Sequence, residues 1–135
     1  MLEPAGIRPE HFALNVADPQ SMTNWYCENL GMKVNRKGTP PTYTNFIANA
    51  ANNMMFELFN NSGYPVLDMF KINPLSIHIA FVVDDVRAIR NGLIAAGATL
   101  VDDMTVSASG DEILMLRNPW GIPLQIIKRA KPMLK

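Results

Sequence analysis

Two stretches of the chain repeat one order of apolar and polar positions. In HFALNVADPQSMTNWYCENLGMKV, which starts at His11, the apolar Phe12, Leu14 and Val16 alternate with His11, Ala13 and Asn15. Period-two alternation of this kind marks a strand with one buried face. In HIAFVVDDVRAIRNGLIAAGATLV, which starts at His78, Ile79, Phe81 and Val83 oppose His78, Ala80 and Val82 in the same way. Each strand runs into a helical stripe: Met22, Trp25, Tyr26 and Leu30 in the first copy, Val86, Ile89, Leu93 and Ala96 in the second. Asp18 and Asp85 suit N-caps, where a carboxylate accepts from free N–H groups of the first turn, and Pro19 suits the first helical position. Gly31 and Gly97 suit the left-handed residue that ends a helix.

The overlay puts His11 on His78, Ala13 on Ala80, Val16 on Val83, Asp18 on Asp85 and Asn24 on Asn91, with Gly31 meeting Gly97 after a one-residue gap. Further strands are predicted over 32–36, 43–49 and 53–59, and again over 98–106, 111–117 and 122–128, so both halves read βαβββ. The first module spans about 8–60, the connection about 61–73 and the second module about 74–129. The connecting stretch NNSGYPVLDMFKINP is rich in turn formers, with a short helical turn in VLDMF, and is too short to separate independent domains. A four-stranded sheet with one helix on its back buries only one face well and needs a partner module for the other. The predicted fold is therefore α+β, a single domain of two βαβββ modules whose curved mixed sheets enclose a cleft.

Composition narrows the chemistry. The 135 residues are 48% hydrophobic, enough for a sizeable core, and twelve basic residues balance twelve acidic ones without a Lys/Arg run. Nucleic acid and anionic membranes are thus not expected as partners. No apolar stretch approaches the roughly 20 residues of a membrane-spanning helix. MLEPAGIRPEHF lacks the pattern of a secretory signal, and the single cysteine, Cys27, permits no internal disulfide, so a cytoplasmic location is expected.

Alternation also selects the side chains that face away from the helices. His11 and His78, the two histidines of the chain, project from that face beside the small Ala13 and Ala80. In the closing strands, Phe56 and Leu58 leave Glu57 on it, and Leu124 and Ile126 leave Gln125. Histidine and carbonyl-bearing side chain are 46 residues apart in one half and 47 in the other. Two imidazoles, a carboxylate and an amide oxygen suit Zn, Ni, Co, Mn or Fe(II), so His11, Glu57, His78 and Gln125 are candidate ligands of a divalent metal ion.

The repeated βαβββ, the opening PEHFALNVADPQSMTNWYCENLGMKV, the His of SIHIAFVV and the closing LRNPWGIPLQI resemble the vicinal oxygen chelate superfamily, which includes glyoxalase I, methylmalonyl-CoA epimerase, extradiol dioxygenases, and fosfomycin and bleomycin resistance proteins. The resemblance covers roughly residues 8–129, and the family's metal positions fall on His11, Glu57, His78 and Gln125. Glyoxalase I and its metal-dependent relatives usually have glutamate where Gln125 stands. An amide can ligate but has no proton-accepting state near neutral pH, which leaves Glu57 as the candidate general base.

The resemblance implies a metal-dependent, glyoxalase-like lyase or isomerase that moves a proton on a small carbonyl compound through a metal-stabilised enediolate, with Glu57 as catalytic residue. Alternatives are a non-catalytic protein of the same fold that sequesters or senses a small molecule, and an Fe(II) extradiol-type dioxygenase. Tyr43, Phe46, Phe59 and Trp120 offer aromatic surface for a small-molecule substrate, Trp120 also being readable as the tip of the N-P-W-G turn. The family further implies a homodimer in which His11 and Glu57 of one chain join His78 and Gln125 of the other. Cys27 reads as a space-filling residue, Arg36 and Lys37 as a solvated basic pair or a contact for an anionic substrate, and Glu112 as a cleft guard or a strand cap.

Overall fold

The computed structural model describes residues 6–134. They divide into two compact units, one running through Leu67 and one beginning at Asp68. The first contains β1 (His11–Asn15), α1 (Pro19–Leu30), β2 (Lys33–Arg36), β3 (Asn45–Ala48) and β4 (Met55–Phe59). Its sheet has the order β1-β4-β3-β2, with β1 parallel to β4 and the other pairs antiparallel. The second opens with a 3₁₀ turn, Met69–Lys71, within the region where a helical turn is expected. It continues with β5 (Ile79–Val82), α2 (Val86–Ala95), β6 (Thr99–Val106), β7 (Glu112–Arg117) and β8 (Pro123–Lys128). The sheet order is β5-β8-β7-β6, again with one parallel pair, β5 and β8. The repeat extends to an irregularity: the register slips between Val34 and Arg36 in β2 and between Leu100 and Asp102 in β6. Two four-stranded mixed sheets built from βαβββ modules are thus present.

The helices begin and end where local chemistry requires. The Asp18 carboxylate accepts from the Ser21 N–H at 3.1 Å and the Ser21 hydroxyl at 2.6 Å, and Asp85 accepts from the Ala88 N–H at 3.0 Å. Each satisfies a donor that the first helical turn leaves without an intrahelical partner. Gly31 and Gly97 have φ of 65° and 98°, a conformation that side-chain-bearing residues rarely adopt. The apolar stripe of α1 packs over β2, β3 and β4, burying Met22, Tyr26, Ile47 and Leu58 almost completely. In the second unit Val86, Leu93, Leu114, Leu116, Leu124 and Ile126 form the equivalent layer. Burying one such side chain contributes on the order of 1.5–3 kcal/mol, so these layers hold each helix to its sheet.

Three local expectations are corrected. Phe12, expected beneath the first helix, is 38% exposed, because β1 is an edge strand and α1 is centred over the other three. The strand expected over 43–49 begins only at Asn45: Tyr43 has φ of +48° in a turn where its N–H donates to the Thr39 carbonyl at 3.0 Å. The strand expected over 53–59 begins at Met55, because Asn49 Oδ1 accepts from the N–H groups of Asn53 and Met54.

Two polar anchors set the entry to β8. Arg117 donates to the carbonyls of Met69 (2.7 Å), Ile72 (2.8 Å) and Gly121 (3.0 Å), tying the start of the unit to its last hairpin. The buried Asn118 side chain accepts from the N–H groups of Trp120 and Ile122 at 3.0 and 2.9 Å, which closes the RNPWG turn. Gly121 completes it at φ +89°, with the Phe70 ring 2.7 Å from where a Cβ would stand. This turn sets the phase of β8 and so the face on which Gln125 emerges.

Candidate functional site

Cross-strand pairing puts the candidate residues on one face of each sheet. In the first unit Glu57 pairs with Ala13 on one side and Phe46 on the other, and Phe46 pairs with Arg36. Directly paired residues project to the same side, so Ala13, Glu57, Phe46 and Arg36 form one row across the sheet. His11 stands two residues before Ala13 and therefore shares its face. The second unit is built in the same register. Gln125 pairs with Ala80 and Met115, Met115 pairs with Asp102, and His78 stands two residues before Ala80, just outside β5.

The first pair meets. His11 Nε2 lies 3.5 Å from Glu57 Oε1, with 36% of the imidazole and 24% of the carboxylate side chain exposed. His11 Nδ1 is 2.8 Å from Glu10 Oε1. Phe46 packs edge-on against the imidazole, ring centroids 5.5 Å apart, and carries the Arg36 guanidinium 5.6 Å from its own centroid. In the second unit His78 Nδ1 is 2.8 Å from the Pro74 carbonyl, and Gln125 is half-buried between Ala80 and Met115.

The His11–Glu57 gap fits a shared cation. Two donors 3.5 Å apart, each about 2.1 Å from one ion, subtend an angle of about 110° at it, close to the tetrahedral value. Nitrogen and carboxylate oxygen also suit the borderline divalent metals. Among the described residues no group of three or more His, Cys, Asp or Glu side chains gathers to hold a metal ion; the donors come as one pair in each unit.

Of the aromatic candidates, Phe46 lies on the face of Glu57, and so does Phe59, two residues farther along β4 and paired with Asn15. Tyr43 sits in the turn before β3 and Trp120, half-buried, in the turn before β8. Glu112 does not guard the Gln125 face. It pairs with Lys128, whose ammonium is 4.0 Å away, and both lie on the Leu114–Ile126 side of the sheet. Burial and neighbouring Glu28 push the Cys27 thiol up, which suits a packing role rather than that of a nucleophile.

The contribution of Glu10 escaped sequence reasoning, although an adjacent Glu-His pair was visible at the start of β1. So did that of Asn15, whose amide donates to the carbonyls of Asn61, Tyr64 and Pro65 and straps that segment to the end of β1. No periodicity reports such bonds, because the first depends on a side-chain rotamer and the second on which loop folds back.

Residues 8–126 match the model of the Glyoxalase/Bleomycin resistance protein/Dioxygenase superfamily. The chain belongs to this superfamily. Several solved structures share its fold. Glyoxalase I from Zea mays is 25% identical with a TM-score of 0.73, the match covering 92% of this chain and 45% of the maize chain. TnmS3, an antibiotic binding protein from Streptomyces sp. CB03234, is 15% identical with a TM-score of 0.71, covering 95% of this chain and 100% of that one. A superfamily member from Sphaerobacter thermophilus DSM 20745 is 13% identical with a TM-score of 0.71, covering 91% and 98%. No curated protein matches the chain. No helix among the described residues is long and apolar enough to cross a membrane.

Proposed function

We propose that this superfamily member is a metal-dependent lyase or isomerase acting on a small carbonyl compound, with Glu57 as the group that moves the proton. The observation that carries this reading is the His11–Glu57 pair, 3.5 Å apart on a sheet face and repeated in register by His78 and Gln125. In this reading His11, Glu57, His78 and Gln125 hold a divalent ion, within one chain or across a homodimer. The bound ion supplies Lewis acidity toward a carbonyl oxygen, which acidifies the neighbouring C–H. Glu57 accepts that proton on one face and returns it to the adjacent carbon or the same one. Gln125 has no proton-accepting state near neutral pH, so it can bind and orient but not take this role. Phe46 walls the site beside His11 and excludes water from that side.

The test combines metal analysis with substitution. Dialysis against Zn²⁺, Ni²⁺, Co²⁺, Mn²⁺ or Fe²⁺ should leave one ion per set of four ligands, and Glu57→Gln should lower turnover of dicarbonyl or hemithioacetal substrates about 10²–10⁴-fold. Absence of stoichiometric metal, or unchanged turnover in Glu57→Gln, defeats the reading. A second reading is non-catalytic binding of a small molecule. It is favoured by the aromatic and cationic surface of Phe46 and Arg36 beside the pair and by the shared fold of TnmS3. Ligand binding that survives chelation, with no turnover, would select it. Oxygen uptake with a catechol after anaerobic Fe²⁺ loading would instead select a dioxygenase.

A further inference from the structure

The two histidines are held by different means to the same chemical end. A neutral imidazole carries its proton on one nitrogen and a lone pair on the other, and the bond made by one nitrogen decides what the other offers. His11 Nδ1 lies 2.8 Å from a carboxylate oxygen of Glu10, and His78 Nδ1 lies 2.8 Å from the main-chain carbonyl of Pro74. An ionised carboxylate and a carbonyl only accept, so in both cases Nδ1 must donate. The lone pair is then on Nε2, which in His11 lies 3.5 Å from Glu57 Oε1, beyond the usual N–H···O range, whereas Nδ1 is within it.

The Pro74 carbonyl is itself placed by a neighbour. Asn73 Oδ1 accepts from the Leu75 N–H at 2.9 Å, and the Asn73 carbonyl accepts from the Ser76 N–H at 2.8 Å. This Asx-type turn fixes the peptide that carries the Pro74 oxygen. The first unit uses an exposed side chain for the same purpose, since 69% of the Glu10 side chain is accessible.

We infer that Glu10 and Asn73 are positioning residues that hold His11 and His78 in the Nδ1-protonated tautomer, so that Nε2 of each imidazole presents its lone pair as a ligand. The inference rests on the ligand role proposed above for the two histidines. Glu10 acts directly, and Asn73 acts through the Pro74 carbonyl. Partners of this kind are worth about 10–100-fold in metal affinity when removed.

Long-range ¹⁵N NMR of the metal-free full chain reads the tautomers without any ion or turnover. Both histidines should show the proton on Nδ1. Glu10→Ala should return His11 alone to a mixture of tautomers, and Asn73→Ala should do so for His78 alone. Asn73→Asp, which keeps the turn acceptor, should retain the wild-type pattern, and thermal melting of each variant shows that the fold is kept. Zn²⁺ affinity by chelator competition should fall about 10–100-fold in Glu10→Ala. An Nε2-protonated His11 in the wild type, or a Glu10→Ala variant with unchanged tautomer and affinity, overturns the inference. The expected tautomers in a wild-type protein that binds none of the divalent ions would support the positioning roles and defeat the metal reading.

Discussion

Across the first sheet the row through the candidate base reads Ala13, Glu57, Phe46, Arg36, and across the second it reads Ala80, Gln125, Met115, Asp102. Strand order, register and even the slip before the fourth residue are the same. Along the row, after the shared alanine, the side chains differ: acid becomes amide, aromatic becomes thioether, and the terminal cation becomes an anion. One scaffold therefore carries two chemistries. His11/His78 and Ala13/Ala80 repeat on this face, whereas Glu57, Phe46 and Arg36 are each replaced in the second row.

The comparison is broken most severely by making the two rows alike. Glu57→Gln gives both halves an amide, and turnover of a small carbonyl substrate should fall about 10²–10⁴-fold in steady-state kinetics, the usual worth of a positioned general base. Adding Gln125→Glu to that variant moves the carboxylate to the second unit. Partial recovery would show that the units can exchange roles, and no recovery would show that the asymmetry is built into the substrate pose.

Beneath the divergent faces the cores should respond equally. Leu58 and Leu124 are both fully buried, each adjacent to the site residue of its closing strand. Each Leu→Ala change should cost about 2–5 kcal/mol in denaturant unfolding. A cost confined to one position, or two separate transitions, would mean that the units do not unfold together. The helix caps provide a smaller contrast. Asp18→Ala and Asp85→Ala should each cost about 1 kcal/mol by the same measurement, since each removes one carboxylate acceptor from a helix N-terminus.

Acid should separate the units by the smallest margin. Hydrogen bonds from the Ser21 hydroxyl and N–H hold the Asp18 carboxyl below its ordinary value of 3.8. The Met104 N–H and then Arg90 do this for Asp103, and the Ala130 N–H, then Arg129 and Ser109, for Asp111. A carboxyl lowered in the folded state contributes stability that is complete above its unfolded value and lost as pH falls through the folded one. Two of these three groups are in the second unit. As pH drops below 3.8, amide protection should therefore decline at two places in the second unit, around Asp103 and Asp111, and at one in the first, at the start of α1. Decline confined to α1 would remove this distinction.

Much of the fold was legible because its signals are local. Asp18, Pro19 and Gly31 bound the first helix through bonds to residues a few positions away, and the alternation around Glu57 and Gln125 sets their face whatever lies beyond. Phe12 was misread because its apolar character says nothing about being on an edge strand outside the reach of the helix. Tyr43 was misread because a β-favouring residue was drawn into a turn by the Thr39 carbonyl. Glu112 looked available until Lys128 became its cross-strand neighbour on the other face.

By itself, then, the chain determined two βαβββ modules, their caps, and the side of each strand on which His11, Glu57, His78 and Gln125 emerge, because periods of 2 and 3.6 are properties of neighbouring residues. Tertiary structure alone decided that Nε2 of His11 meets Glu57 at 3.5 Å, that Arg36 lies over Phe46, and that Glu10 and Pro74 each engage a histidine Nδ1. The first two depend on cross-strand register, and the last two on where a side chain or a turn comes to rest. Neither is encoded in the hydrophobic pattern that forms the sheet.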